Sequence, residues 1–303
     1  DWREFSISEQ QQKLDNFLEE DREQGFDLKI APLFRITLIQ LTETRYQLVW
    51  TQHHLIIDGW SAGLVLKEVF QLYQVFHKGT DLNNLSTYNN RPYADYIAWL
   101  GQQDLSAAKT FWKTKLQGFT TPNILQVKQS SSNSTKPNWN QQEIALPATI
   151  TNQLKNLAKN HQFTLNTLIQ GAFASLLSHY CNQDDIVFGA TSSGRPATLT
   201  GSESMVGLFI NTLPVRVQID PKTSLITWLQ QLQNQQAEAL QYEYSPLLEI
   251  QNWSEIPRGA TLFEHILVFE NYPVDASLLK SQDGLKIEKV NSLEWTSFPL
   301  TML

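Results

Sequence analysis

The chain has 303 residues, enough for about two domains or lobes of ordinary size and for a sizeable core. A hydrophobic fraction of 41% and an aromatic fraction of 11% exclude wholesale disorder, and the single cysteine, Cys181, excludes a disulfide framework and a cysteine-based zinc site. No apolar run approaches the roughly 18–20 residues of a membrane span, and 23 Lys and Arg against 30 Asp and Glu leave a net charge of −7, which argues against a nucleic-acid binder.

Residues 7–24 are polar, with Leu14, Phe17 and Leu18 at helical spacing, and predict a surface helix. Phe34 to Leu41 and Tyr46 to His53 alternate apolar and polar residues, and the short link between them predicts an antiparallel hairpin. A turn at Leu55–Gly59 leads to a helix over Ser61 to Phe76 with a broad apolar stripe, and residues 92–100 and 104–117 predict two more helices, rich in Trp and Tyr. Ser, Thr, Asn and Pro then dominate residues 118–140, a loop composition that predicts a connection. Beyond it the pattern predicts a short strand at Gln142 to Leu146 and helices over Ile150 to Asn160 and Leu165 to Tyr180, the second apolar enough to be buried. Strands follow at Asp185 to Ala190 and Gly207 to Ile219, then a long helix over Leu225 to Leu240 and strands at His265 to Glu270 and Leu285 to Val290. Strands interleaved with helices predict an α/β layered architecture. The 29 Gln and 19 Asn are scattered along the chain and are expected to replace charged residues on solvated helix faces. Asp1 has no Met before it, and residues 298–303 read as a strand cut off mid-stride, so the sequence is expected to be a piece of a longer polypeptide.

One segment carries candidate chemistry: Gln52-His53-His54-Leu55-Ile56-Ile57-Asp58-Gly59-Trp60-Ser61. A His at the end of a strand projects from a rigid element, a good position for a catalytic base. Adjacent residues of a strand point to opposite faces, so one of His53 and His54 can meet a substrate and the other is held in the fold. Gly59 is expected to allow positive φ and a sharp turn into the following helix. Asp58 either orients an imidazole or anchors the turn through an Arg. Ordinary structural histidines are the competing reading, and a metal site is disfavoured because adjacent ligands diverge. Asn211 in a strand needs a reason to be there, either a substrate-facing amide or local pairing. Trp99, Phe111 and Trp112 read as core; His77, His161 and His179 as surface or capping residues; His265 as core.

The pattern HHxxxDG from His53 to Gly59, continuing into Trp60-Ser61, resembles the signature of condensation domains of non-ribosomal peptide synthetases. Further segments resemble that family in its own order: Tyr93–Trp99 (YxDYAxW), Ser193-Gly194-Arg195 (SGR), Val206–Arg216 (VGxFxNTxPxR), Tyr244–Leu247, and Leu262–Glu264 leading into Val268–Pro273. The resemblance implies the two-lobed chloramphenicol-acetyltransferase-like α/β fold, each lobe a mixed sheet with helices and incomplete at both termini. Residues 1–120 would form a partial N-terminal lobe, 121–140 the inter-lobe connection and 141–303 a partial C-terminal lobe.

It also implies amide-bond formation between a donor acyl or peptidyl thioester and an acceptor aminoacyl thioester. Both substrates ride on phosphopantetheine of upstream and downstream carrier domains beside an adenylation domain, in the cytoplasm. The domain itself would bind no cofactor or metal, and neither nucleic acid nor a membrane would be a partner. In that reading His54 faces the substrate tunnel, either taking the proton of the attacking amine or positioning that amine. His53, Asp58, Gly59 and Arg195 are then structural parts of the motif, Arg195 being the candidate partner of Asp58, and Trp60, Ser61 and Asn211 are tunnel candidates. Two rivals stand beside it: a coenzyme A-dependent acyltransferase of the same superfamily and a non-catalytic carrier-recruiting platform. Trp60-Ser61 favours a peptide-forming domain over an epimerisation domain. Heterocyclisation domains replace the two histidines with Asp. Gly207–Pro214 and Glu270–Pro273 resemble domains taking an L-configured or polyketide-type donor.

Overall fold

The structure is a computed structural model that describes residues 1–79, 91–125, 140–270, 285–294 and 296–303. Its contacts divide the chain into two compact units, one of Asp1–Tyr96, Ala197–Phe209 and Tyr272–Lys289, the other of Ile97–Pro196, Ile210–Asn271 and Val290–Leu303. Residues 97–120 therefore group with the second unit, and 197–209 return to the first. Of the segment expected to connect two lobes, residues 126–139 lie outside those described.

In the first unit, α1 (Ile7–Gln24) opens on a reciprocal cap: the Glu9 amide donates to Ser6 Oγ, and the Ser6 amide donates to the Glu9 carboxylate at 2.8 Å. β1 (Phe34–Gln40) and β2 (Tyr46–Gln52) pair antiparallel from Phe34↔Gln52 to Gln40↔Tyr46. Arg35 ties this hairpin to α1, donating to the Asp21 carboxylate at 2.7 Å, to Asp21 O at 2.7 Å and to Gly25 O at 2.6 Å. Burial is the largest single influence on the Asp21 carboxyl and works against its charge, yet the bonds from Arg35 and Thr51 and the charges of Arg35 and Arg22 together outweigh it and hold that carboxyl below its ordinary pKa. The helix α2 (Gly59–His77) follows the hairpin, and further on comes α3 (Tyr93–Leu100).

The second unit is a three-layer arrangement. Its elements are α4 (Leu105–Leu116), α5 (Ala148–Asn160), α6 (Leu165–Cys181), β3 (Asp185–Ser192), β4 (Asn211–Gln218), α7 (Leu225–Leu240), α8 (Leu247–Trp253), β5 (His265–Leu267) and β6 (Leu300–Met302). The sheet order is β4-β3-β5-β6, with β3 antiparallel to β4 and parallel to β5, and β5 parallel to β6. Alternation along β3 sends Val187 to one face, where Trp112, Leu116, Ile250 and Phe263 pack, and Ile186 and Phe188 to the other, against Phe173, Leu177 and Leu232. A central strand buried on both faces needs helices on both, and α4 with α8, and α6 with α7, supply them. Pro214, with no N–H to donate, is tolerated because β4 is an edge strand.

The structure differs from the sequence-based expectation at several places. Residues 142–146 form no strand: Ile144 is 76% exposed and Leu146 53%, so their alternation has no partner among the described residues. Residues 285–290 hold a single bridge at Leu285, and β5 stops at Leu267 rather than Glu270. The seven-residue α8 was not anticipated. Several amides do more than coat helices. Gln170, 3% exposed, donates to Asn166 and accepts from Gln236 at 2.8 Å, while Gln233 accepts from the Thr164 amide at 2.8 Å and from the Thr167 hydroxyl at 3.1 Å. These bonds form a polar seam between α6 and α7 in which each buried donor has an acceptor.

Candidate active site

The two histidines part company where β2 ends. The His53 amide donates to Leu33 O at 2.9 Å, extending the hairpin ladder by one bond. Its Nδ1 accepts the Leu55 amide at 3.1 Å, and the ring meets Phe26 edge-on at a centroid distance of 6.1 Å. An Nδ1 that accepts leaves the ring proton of neutral His53 on Nε2. His53 is thus occupied in closing the turn. His54, the next residue, is exposed. Both histidines lie beyond β2, which ends at Gln52 and not at His53 as the alternation predicts, so it is the turn that separates them, with the His53 ring engaged in it and His54 exposed.

Asp58 closes the turn. It is 3% exposed. One carboxylate oxygen accepts the Ser61 amide at 2.8 Å, capping the N-terminus of α2, and the other accepts the Phe209 amide at 2.9 Å. Two backbone N–H donors and the positive end of a helix stabilise a buried carboxylate, so Asp58 acts here as an anchor. Ser61, fully buried, completes the clasp: its Oγ donates to Gly207 O at 2.8 Å and accepts the Gly207 amide at 3.1 Å. The Asp58 amide donates to the same carbonyl at 3.3 Å, and Trp60 Nε1 donates to Glu203 O at 2.9 Å. Gly59 is the first residue of α2 and does not take a positive φ, so the sharp turn is made without left-handed backbone there.

The segment 205–209 is held from its other side by Tyr93, whose hydroxyl donates to Leu208 O, and by Tyr96, whose ring lies 4.4 Å from that of Phe209. A Cβ at Gly207 would fall 2.1 Å from Tyr93 Cδ2, so this position admits glycine alone without displacement. The motifs around His53, Tyr93 and Val206, separate in sequence, interlock in one clasp. That the segments fit each other was not read from the sequence, because side-chain-to-backbone bonds leave no periodicity.

Asn211 and Arg195 belong to the second unit. Asn211 Nδ2 donates to Glu243 O at 2.7 Å and to Ser245 O at 2.8 Å, and its Oδ1 accepts the Thr212 amide at 2.9 Å. This is the local-pairing geometry of the two readings. Arg195 follows Gly194, whose φ is +61°, in the loop leaving β3. Glu243, which sequence reasoning passed over, reaches the same loop: its carboxylate accepts from the Ser192 hydroxyl and from the Gly194 amide. Burial pushes the Glu243 carboxyl above its ordinary pKa, against the pull of those two bonds. Among the described residues no group of His, Cys, Asp and Glu side chains is placed to hold a metal ion, and no helix is long and apolar enough to cross a membrane.

The Condensation domain family matches the sequence over residues 1–301. The chain belongs to the condensation-domain family. A linear gramicidin synthase of Brevibacillus parabrevis is 47% identical over 301 residues, covering 99% of this chain and 6% of that protein. Bacitracin synthase 3 of Bacillus licheniformis is 37% identical over 302 residues, 98% of this chain and 5% of that protein. The chain thus spans about a twentieth of the length of these relatives. Among solved structures, the first condensation domain of the CDA synthetase superposes with a TM-score of 0.69 at 17% identity, over 87% of this chain and 58% of that one, which shows the fold. The fold is thus the chloramphenicol-acetyltransferase-like α/β fold of condensation domains, the acyltransferases that form peptide bonds in non-ribosomal peptide synthetases alongside carrier and adenylation domains.

Proposed function

We propose that this chain contributes the reacting site for amide-bond formation between a donor acyl or peptidyl thioester and an acceptor aminoacyl thioester, both carried on phosphopantetheine of carrier domains, in the cytoplasm. The observation that carries the reading is the division of labour at the turn: His53, Asp58 and Ser61 are engaged in holding it, and His54 is left exposed on a fixed backbone. The acceptor's α-amine attacks the donor's thioester carbonyl, a C–N bond forms, and the tetrahedral intermediate collapses with loss of the donor thiolate. The nitrogen sheds one proton and the leaving sulfur takes one up. An imidazole at His54 hydrogen-bonds the amine, orients it and receives that proton. Because a thioester is already activated, orientation supplies much of the acceleration. Asp58 and Ser61 act one step back, fixing the backbone from which His54 projects. Pairing of Asp58 with Arg195 belongs to the same proposal, and the coupling energy of Asp58→Asn with Arg195→Ala in a double-mutant cycle measures it.

The test is condensation by the intact protein with donor and acceptor loaded on their carriers. His54→Ala is expected to lower kcat by about 10²–10⁴-fold without lowering Tm, since no bond among the described residues is lost. His54→Asn separates the two contributions, because an amide can orient an amine but cannot take its proton. Unchanged condensation by His54→Ala would remove His54 from the reaction.

A further inference from the structure

The motif at Tyr244–Leu247 has no role in the clasp around His54, yet the residue before it reaches a second loop of the family pattern. β3 and β4 end on the pair Ser192↔Asn211, and from there the chain leaves β3 as Ser193-Gly194-Arg195-Pro196. With φ at +61°, Gly194 takes the exit through a left-handed residue, and such a loop needs outside bonds to hold one shape. Glu243 provides them, accepting the Ser192 hydroxyl on one side of the bend and the Gly194 amide at it.

The backbone that carries Glu243 is itself fixed. Asn211 Nδ2 holds the carbonyls of Glu243 and Ser245. Ser245, fully buried, accepts from Trp112 Nε1 at 3.0 Å and donates to Tyr242 O at 2.7 Å. The Tyr244 hydroxyl donates to Asp104 O at 3.0 Å. A carboxylate on so restrained a segment arrives already aimed. Two acceptor oxygens and no donor suit it to gather a hydroxyl and an amide N–H, whereas a side-chain amide would turn an N–H toward one of those donors.

We infer that Glu243 is a positioning residue for the condensation reaction, the strut that fixes the Ser192–Arg195 loop and with it the Ser193-Gly194-Arg195 element of the family pattern. This rests on the reading of the chain as an amide-forming domain. Its effect on the reaction passes through the loop, so it should appear in turnover and not in carrier binding.

The experiment compares the intact parent protein with Glu243→Gln, Ser192→Ala and His54→Ala, using one donor-loaded and one acceptor-loaded carrier. Glu243→Gln is expected to lower kcat about tenfold, the equivalent of one hydrogen bond to a charged group, with the KM for the acceptor carrier and the circular dichroism spectrum unchanged. Ser192→Ala is expected to lower kcat by less. The double variant should fall no further than Glu243→Gln alone, because the hydroxyl acts only through the carboxylate. Parental kcat in Glu243→Gln overturns the inference, as does an effect on KM alone. Should Glu243→Gln fail to fold, Ser192→Ala decides: it leaves the buried carboxylate in place, and parental kcat there overturns the inference equally. The His54→Ala arm separates the two readings, since a parental rate in that variant with a loss in Glu243→Gln refutes the assignment of His54 and leaves Glu243 standing.

Discussion

Two carboxylates, Asp58 and Glu243, perform the same task in different surroundings. Each gathers two donors and so fixes a loop of the family pattern. Asp58 does it at the N-terminus of α2, where unpaired backbone N–H groups and the helix dipole favour negative charge, and it is 3% exposed. Glu243 lies three residues beyond the C-terminal end of α7, where a helix offers carbonyls instead of N–H groups. Its donors are one hydroxyl and one amide, and burial pushes its carboxyl upward in pKa. The contrast locates where rigidity is intrinsic. Around Asp58 the helix itself helps to hold the anion, so the clasp and the charge support each other. Around Glu243 the charge is tolerated because Asn211, Trp112 and Tyr244 hold the backbone for it.

The largest expected effect on stability lies at Gly207, in the loop that Asp58 fixes. A methyl group there would sit 2.1 Å from Tyr93 Cδ2 while the amide and carbonyl of the same residue are bonded to Ser61. Neither side can yield without loss of the clasp. Gly207→Ala is expected to destabilise the first unit by about 1–3 kcal/mol, the ordinary cost of forcing extra atoms into a packed site, and to lower condensation in step. Thermal denaturation with assays at two temperatures checks it. A Tm equal to the parent's would show that Tyr93 moves aside freely.

Asp58→Asn comes next. The substitution keeps shape and burial but turns an N–H toward the Ser61 or the Phe209 amide, leaving one buried donor unsatisfied at about 1–3 kcal/mol. If the helix terminus helps to hold the anion, this loss exceeds that of Glu243→Gln measured by the same denaturant titration. Equal losses would mean that α2 adds nothing to the anion's stability.

The two loops also differ in what a sequence displays. Amphipathic spacing sufficed for α1 and for the long helix α7, and alternation sufficed for the hairpin, because each pattern is the direct record of one buried face. Strand alternation did not decide the pair His53–His54, because β2 ends at Gln52 and the bond from the Leu55 amide to His53 Nδ1 belongs to the turn. The start of β4 could not be placed: the pattern from Gly207 reads as strand, but the Gly207 amide and carbonyl serve Ser61, and the Phe209 amide serves Asp58, so the ladder begins only at Asn211. Bonds of that kind join residues about 150 positions apart and leave no local signal. The same holds for Glu243, whose surroundings of Tyr242 and Tyr244 look like an ordinary helix end. Residues 142–146 failed in the opposite way, carrying the alternation of a strand with nothing described beside them to pair with.

The smallest expected effect, and the one that bears most directly on how the two carboxylates differ, is electrostatic. Glu243 holds its proton more tightly in the folded chain than in the unfolded one, because burial disfavours the charged form. Between the ordinary carboxylate pKa and its raised folded value, the folded state therefore binds more protons, and stability falls as pH rises through that window. The penalty is complete above the folded pKa and absent below the ordinary one. Glu243→Gln cannot titrate, so the stability of the parent relative to this variant is expected to improve as pH is lowered through the window. The slope for one group is at most about 1.4 kcal/mol per pH unit, and in a group still partly reached by water it is shallower. Denaturant titrations of both proteins across the acid range give the difference curve. A curve that slopes the other way would mean that the bonds from Ser192 and Gly194 favour the anion more than burial opposes it.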